Sequence, residues 1–342
     1  MGSKENIFSY NANALIDSKL KFYYGIPHCH TEISTGRGSP LEALEYAAKK
    51  SIDFIILTDH NSSLKEPLKK EGSKKTKWHY LKESLTKYNK KNKYPLAILG
   101  FESRSNPWGD LNIVNVSNYF TGVINDMRSV FLWMLNQPDG LIFINHPHSP
   151  ISKLNYHPIL NHFITSIEVA NGSPPHKYIR HFKYYYKLLD DGWRLGAING
   201  QDNHRMNFGD SENLTCVVCN DFSKKTIMDA FRNRRTYSTE SKTLKTYFSI
   251  NNHFMGEIIS LDKIKELEFF IYAYDTKYNV NKIEILSNGG SVVKTLDKIN
   301  LNKVKYLIKI PFDEALKWYV IKIYQDGGKI AMTSPIFIED KK

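Results

Sequence analysis

Cysteine is scarce in this chain, and three residues in 342 cannot build a disulfide framework. Cys216 and Cys219 form a lone Cys-x-x-Cys, but it sits in an apolar, strand-like run where positions three apart face opposite ways. Core packing is therefore expected of the pair, not zinc or redox chemistry. No run of 18 apolar residues occurs, so no membrane span is expected. The opening residues lack an apolar leader segment, which makes a cytoplasmic location the default, with secretion left open if Met1-Gly2-Ser3 marks a removed leader. Also missing are a glycine-rich phosphate loop and a Gly-x-Ser-x-Gly elbow, which removes the common nucleotide-binding and serine-hydrolase readings. There is no internal repeat and no low-complexity linker.

Acidic residues are outnumbered, 35 against 47 basic, for a net charge of +12. Such a balance can signal nucleic acid, an anionic membrane or an acidic substrate. Much of the excess is lysine scattered over residues 65–93 and the last hundred positions, which reads first as a solvated surface.

Apolar runs are present, and six of them end in metal-capable side chains. Residues 22–26 lead into His28 and His30, 52–57 into Asp59 and His60, and 96–101 into Glu102. Residues 141–144 end at His146, 164–167 at Glu168, and 195–198 shortly before Asp202 and His204. Runs of this length, rich in Ile, fit strands buried on both faces of a parallel sheet. Positions i and i+2 share a face, so His28 and His30 can address one centre while Cys29 turns into packing.

Helix-like segments at 40–50, 126–137, 175–190 and 224–234 fall between the runs, the first opening on a Ser39 cap and Pro40. Strands alternating with helices imply parallel βα units of the α/β class, with the ligands at the carboxyl ends of the strands. Adding residues 111–116 and 214–218 gives seven or eight strands, and a closed barrel is expected with its site on that face. After Arg235 the pattern changes to short alternating stretches separated by Asn288-Gly289-Gly290 and Asp326-Gly327-Gly328, which predicts a small β-sandwich. The expected division is 1–242 and 243–342.

Imidazole and carboxylate together suit zinc, manganese or iron, and the absence of cysteine at these positions argues against a structural zinc knot. A set with several carboxylates can hold more than one ion, and Glu102 is the candidate bridge. Paired ions polarise an ester oxygen and activate water, so hydrolysis is the natural reaction class.

At these residues the chain resembles the PHP (polymerase and histidinol phosphatase) superfamily of metallohydrolases, over roughly residues 20–240. The resemblance rests on His28-x-His30-Thr31, Thr58-Asp59-His60, Gly100-Phe101-Glu102, Asn145-His146-Pro147 and Gln201-Asp202-Asn203-His204, in that order. Glu168-Val169-Ala170-Asn171-Gly172, Arg235-Thr236-Tyr237-Ser238 and the closing Thr333-Ser334-Pro335 are similar to the CehA/McbA branch, whose members are metal-dependent ester hydrolases.

The resemblance implies a distorted (β/α)7 barrel holding two divalent ions, or three. By similarity His28, His30, Glu102 and Asp202 hold the first, Glu102 and His146 the second, and His60 and His204 belong to the third. Two departures bear on this set. Thr35 stands where the family has an acid, with Glu32 as the substitute candidate, which leaves the third ion open. Asp110 stands where the branch has histidine and would serve the second ion, with Asn112 as the alternative; a carboxylate there hardens the site toward manganese or iron.

Asp59, Glu168, His148 and Arg104 complete the candidate catalytic set. Asp59 is expected to orient its neighbours, and Glu168 to do the same or to meet substrate. His148 is a candidate to protonate a leaving group, with a loop histidine facing water as the equal alternative, and Arg104, Arg37 and Arg205 suit a phosphate oxygen. The remaining histidines, His79, His157, His162, His176, His181 and His253, are assigned to surface or core. The expected function is hydrolysis of a small, anionic phosphate ester by metal-activated water. Carboxylic ester, carbamate or amide hydrolysis is the nearest alternative. A nuclease is disfavoured by the lack of a basic and aromatic stripe near the ligands. A non-catalytic binding module is disfavoured by the intact first-ion set.

Overall fold

The computed structural model describes residues 20–68, 75–105, 107–260 and 265–339. The opening residues, on which the expectation about a leader rests, lie outside that range. Strands β1 (Lys21–Ile26) and β2 (Phe54–Leu57) run parallel, joined by helix α1 (Pro40–Lys49). A capping box starts α1: Glu42 N donates to Ser39 Oγ at 3.3 Å and Ser39 N to Glu42 Oε2 at 2.7 Å. All four residues of β2 are buried, as an Ile/Leu/Phe run covered on both faces requires.

Two helices, α2 (Asn61–Leu64) and α3 (Lys77–Lys91), precede β3 (Leu96–Ser105), which extends the parallel set. The lysine-rich stretch that reads as solvated surface thus contains a long helix. Its Trp78, Leu81, Leu85 and Tyr88 are buried, and their spacing lays one apolar stripe under a charged exterior.

The βα expectation fails at the next step. Strand β4 (Gly109–Val114) runs antiparallel to β3 and to β5 (Leu141–Ile144). Residues 106–108 are too few for a crossover helix, so β3 and β4 form a hairpin. Helix α4 (Met127–Met134), capped by Asp126, precedes β5. Strand β6 (Ile164–Asn171) then pairs with β5 in parallel, and the short β7 (Ile179–Arg180) folds back on β6. That strand delays α5 (Phe182–Asp190), which was expected from residue 175.

Strand β8 (Gly196–Gly200) lies parallel to β6. Strand β9 (Leu214–Cys219), helix α6 (Lys224–Arg232) and β10 (Thr236–Thr239) follow, with β9 antiparallel to both β1 and β10. Cys216 and Cys219 are buried in β9, as packing requires. The expected closed barrel is not completed by backbone pairing, because no ladder joins β8 to β9 among the described residues. A side chain bridges that seam: Asn199 N donates to Thr215 Oγ1 at 2.8 Å, and the same hydroxyl donates to Asn199 O at 3.1 Å.

The remaining strands are β11 (Lys245–Ile250), β12 (His253–Phe254), β13 (Ile258–Ser260), β14 (Glu266–Tyr274), β15 (Val280–Ser287), β16 (Ser291–Leu296), β17 (Lys303–Pro311), β18 (Trp318–Gln325), β19 (Lys329–Thr333) and β20 (Ile336–Glu339). The small sandwich expected of them is not shown. Strands β11, β12, β14 and β17 make a separate four-stranded sheet, but the others join the main sheet through β19, which pairs with β10. Phe269 of the separate sheet meets Tyr319 edge-on at 5.2 Å, and one apolar cluster runs from β1 through both blocks. The two glycine turns fall where expected, with Gly289, Gly290, Gly327 and Gly328 all at positive φ. The overall class is mixed α/β with one large sheet.

Candidate metal centre

The ligand candidates converge because the chain segments beyond the strand ends are pinned to one another. His30 N donates to Asn203 O at 2.9 Å, Asp202 N to His28 O at 2.9 Å, and Glu102 N to Thr58 O at 3.1 Å. Asp110 joins from the opposite chain direction. It opens β4 and does not follow a strand, and it reaches the same rim because the hairpin reverses β4.

His28 Nε2 lies 3.2 Å from His30 Nε2, and both ring nitrogens lie 3.3 Å from Glu102 oxygens. Asp202 Oδ1 is 3.3 Å from His28 Nε2, 3.1 Å from His30 Nε2 and 3.5 Å from His204 Nδ1. That oxygen is buried and makes no hydrogen bond among the described residues. Glu102 also meets His146 Nε2 at 3.3 Å and His60 Nδ1 at 3.1 Å, and His146 Nε2 stands 4.0 Å from Asp110 Oδ2.

The ligand atoms fall into three overlapping groups: His28, His30 and Asp202; His28, Glu102 and His146; and His30, His60 and His204. These residues fit divalent ions. Ligand atoms held ~2.1 Å from a common ion lie about 3.0–3.4 Å from each other, which matches the 3.1–3.3 Å separations around Asp202, Glu102, His28 and His30. An oxygen ringed by three imidazole nitrogens yet bonded to none is what a shared cation would organise.

Glu168 fixes the first histidine. Its Oε1 accepts from His28 Nδ1 at 2.8 Å, so in the neutral ring the Nε2 lone pair faces the cluster. Its other oxygen accepts the His146 backbone N–H at 2.6 Å and Asn171 Nδ2 at 2.7 Å. The carboxylate lies against bare backbone, since a Cβ on Gly200 would come within 1.9 Å of Oε1.

Asp59 is saturated by the turn after His30: it accepts from Thr31 N and Thr31 Oγ1 at 2.8 Å each, from Ser34 N at 3.1 Å and from Ser34 Oγ at 2.6 Å. It shapes that turn. His146 and Asp202 have φ of 23° and 51°, in the left-handed region that non-glycine residues avoid. Such strain is typical of residues held in place for a task.

Burial works against charge on the two first histidines, but Asp202 and Glu102 outweigh it, holding His28 well above the usual range and His30 at about 9. His146 also rises to about 9 against its burial, through Glu102 and Glu168. Burial opposes ionisation of Glu102 and Asp202 too, yet the neighbouring histidines, His28 foremost, hold both carboxyls well below the ordinary range. Asp110 is pushed up by burial and by Glu102. The carboxylates thus stabilise positive charge where the ring nitrogens meet.

No family model matches the chain. An "uncharacterized protein" of Chlamydia muridarum is 27% identical over 170 residues, covering 43% of this chain and 27% of that one, so the chain spans about a quarter of that relative's length. Among solved structures, a two-domain protein from Bacteroides vulgatus, containing a predicted PHP-like metal-dependent phosphoesterase, superposes with TM-score 0.50. It is 17% identical, with 90% of this chain and 91% of that chain covered. PsfC from Pseudomonas syringae follows at TM-score 0.44 and 12% identity, covering 63% of this chain and 90% of that one. The chain shares the fold of the Bacteroides protein.

Within that fold, a cavity of about 510 Å³ adjoins the cluster, lined by His60, Asp110, Arg104 and His148 among others. Arg104 and His148 therefore face the same space as two ligand candidates. Arg37, Arg205, Thr35 and Glu32 are exposed, and none belongs to a ligand group or lines this cavity. Asn112 is fully buried opposite Glu102 in the β3–β4 ladder, and its Oδ1 has no hydrogen-bond partner among the described residues.

Sequence reasoning missed three residues. Asn145 donates to Glu102 Oε1 at 2.8 Å, Asn171 steadies Glu168, and His176 stands 5.6 Å from the His204 ring. The first two adjoin ligand motifs already noticed, and a buried amide beside a ligand is the signal that could have found them. Nothing local marks His176.

Proposed function

We propose that this chain is a metal-dependent hydrolase of phosphate esters, of the PHP type and its CehA/McbA-like branch, built as a distorted barrel (1–242) carrying a strand-rich block (243–342). The observation that carries the reading is Asp202 Oδ1, buried, unbonded and within 3.5 Å of three imidazole nitrogens. His28, His30, Glu102 and Asp202 would hold one ion and Glu102, His146 and Asp110 a second, with His30, His60 and His204 available to a third. Bound ions would lower the pKa of water and polarise the phosphoryl oxygen.

The chain's own residues do the rest. Glu168 keeps the His28 ring turned so that Nε2 faces the cluster, and its hold on the His146 backbone fixes the strained bend that aims the imidazole. Arg104, on the cavity wall, pairs with a phosphate oxygen of the substrate. His148, on the same wall, delivers a proton to the departing oxygen. Asn145 orients Glu102.

Elemental analysis of protein purified without added metal, together with turnover of aryl phosphate mono- and diesters against aryl carboxylates, tests this reading. Two or three ions per chain and phosphate ester turnover that disappears in His146→Ala are expected. A metal-free protein under replete conditions would refute the metal centre, and turnover confined to carboxylates would move the activity to carboxylic esters.

A further inference from the structure

The parallel strands have two ends, and the end away from the metal centre is also built around charge. A cavity of about 590 Å³ lies there, lined by Arg194, Arg232, Arg234 and Thr165, with Tyr156 and Phe163 in its wall. Its position follows from the chain: Gly140 precedes β5, Thr165 lies near the start of β6, and Arg194 precedes β8, whereas His146, Glu168 and Asp202 lie further along or beyond the same strands. No carboxylate is among the described lining residues.

The cations are unevenly compensated. Arg194 pairs with Glu339, and Arg232 lies 3.5 Å from Asp229. Arg234 has no acidic partner among the described residues; it donates to the carbonyls of Gly256 at 3.0 Å and Arg232 at 3.3 Å, and packs over Phe337. Burial and the nearby Arg194 press its guanidinium down to about 10. A largely buried guanidinium without a counterion is costly and rare. Beside it, the Thr165 hydroxyl is 1% exposed as a residue and finds no hydrogen-bond partner among the described residues.

We infer that this cavity is a second ligand site, for a small organic phosphate or phosphonate whose anionic head meets the three arginines and the Thr165 hydroxyl. Guanidinium forks match tetrahedral oxyanions, and the free hydroxyl supplies one more contact at their base. Tyr156 and Phe163 would cover an apolar or aromatic substituent. This inference does not depend on what the metal centre hydrolyses.

Phenylphosphonate, whose P–C bond resists hydrolysis, is the probe, with benzoate as the planar control. Calorimetric titration is done in the full chain carrying Glu102→Gln and Arg104→Ala and stripped of metal with a chelator, so that binding at the metal centre does not contribute. Saturable phenylphosphonate binding is expected there, at least ~10-fold weaker once Arg194→Ala and Arg232→Ala are added. Because removing a charge can unsettle the fold, Thr165→Val provides a second, uncharged change, with weaker binding and an unaltered melting curve expected. No binding in the Glu102→Gln protein, equal binding in the arginine variant, or benzoate bound as tightly as phenylphosphonate would each overturn the inference.

Discussion

This molecule holds two contrasting buried carboxylate environments. Asp275, where the strand-rich block meets the segment after β10, accepts from Ser241 Oγ at 2.7 Å, Thr243 Oγ1 at 2.5 Å, Gln325 Nε2 at 2.7 Å and Lys277 N at 2.8 Å. Its negative charge is dispersed over neutral donors, which hold its carboxyl below the ordinary range against the effect of burial. Among the described residues, Glu102 and Asp202 lie in the cluster with a single neutral side-chain donor between them, Asn145, and are otherwise faced by imidazoles. Burial therefore does not separate structural from functional acids; the partners do. A carboxylate saturated by hydroxyls and amides needs no cation, whereas one facing ring nitrogens can exchange a shared proton for a shared ion.

Glu102→Gln should break the second environment most severely. Altering a group that merely supports a metal ligand costs about 10–100-fold, so losing a candidate bridging ligand should lower hydrolysis by more than ~100-fold with the circular dichroism spectrum retained. Asp275→Asn should do the opposite, leaving hydrolysis intact while lowering stability by about 1–3 kcal/mol in denaturant melts. If the Asp275 variant loses activity while the Glu102 variant keeps it, the distinction between the two environments is wrong.

Glu168→Gln probes a carboxylate between these extremes, since it accepts from two neutral donors and one imidazole. Metal affinity measured by competition with a chelator should fall about 10–100-fold, with the fold intact. Unchanged affinity would place Glu168 with the structural acids.

The clustering of these residues was legible because strands announce their ends: an apolar run followed by His or a carboxylate reports a position even before the sheet is known. Cys29 could be assigned to packing by the same rule, and its Sγ indeed points to Ile56 O at 3.3 Å. What local sequence does not carry is which neighbour a strand chooses. The direction of β4, and with it the way Asp110 enters the rim, depends on β3 and β4 pairing as a hairpin. The attachment of β19 to β10 likewise decides that the second block continues the main sheet. Helix α3 was hidden by its lysines, since the buried stripe is a minority of its residues. Glu32 and Arg37 are close to ligands in sequence, but the turn that Asp59 organises leaves both exposed.

Asp53 supplies a third environment and the smallest effect. It sits before β2, largely buried, and accepts one side-chain hydrogen bond, from Tyr24 N at 2.7 Å. With one donor and no cation beside it among the described residues, burial prevails and raises its carboxyl to about 6. The folded protein then holds a proton that the unfolded chain releases near pH 4, so stability should fall as pH rises from about 4 to about 6 and stay reduced above that. Asp53→Asn keeps an acceptor for Tyr24 and removes the charge. Allowing for partial contact with solvent, it should stabilise the protein by about 1–2 kcal/mol at pH 7.5 and by almost nothing near pH 4. Melting temperatures of the two proteins across that range provide the check, and loss of metal at low pH affects both alike. A gap that does not change with pH would mean that Asp53 is solvated, or that neutral donors beyond Tyr24 satisfy it as they satisfy Asp275.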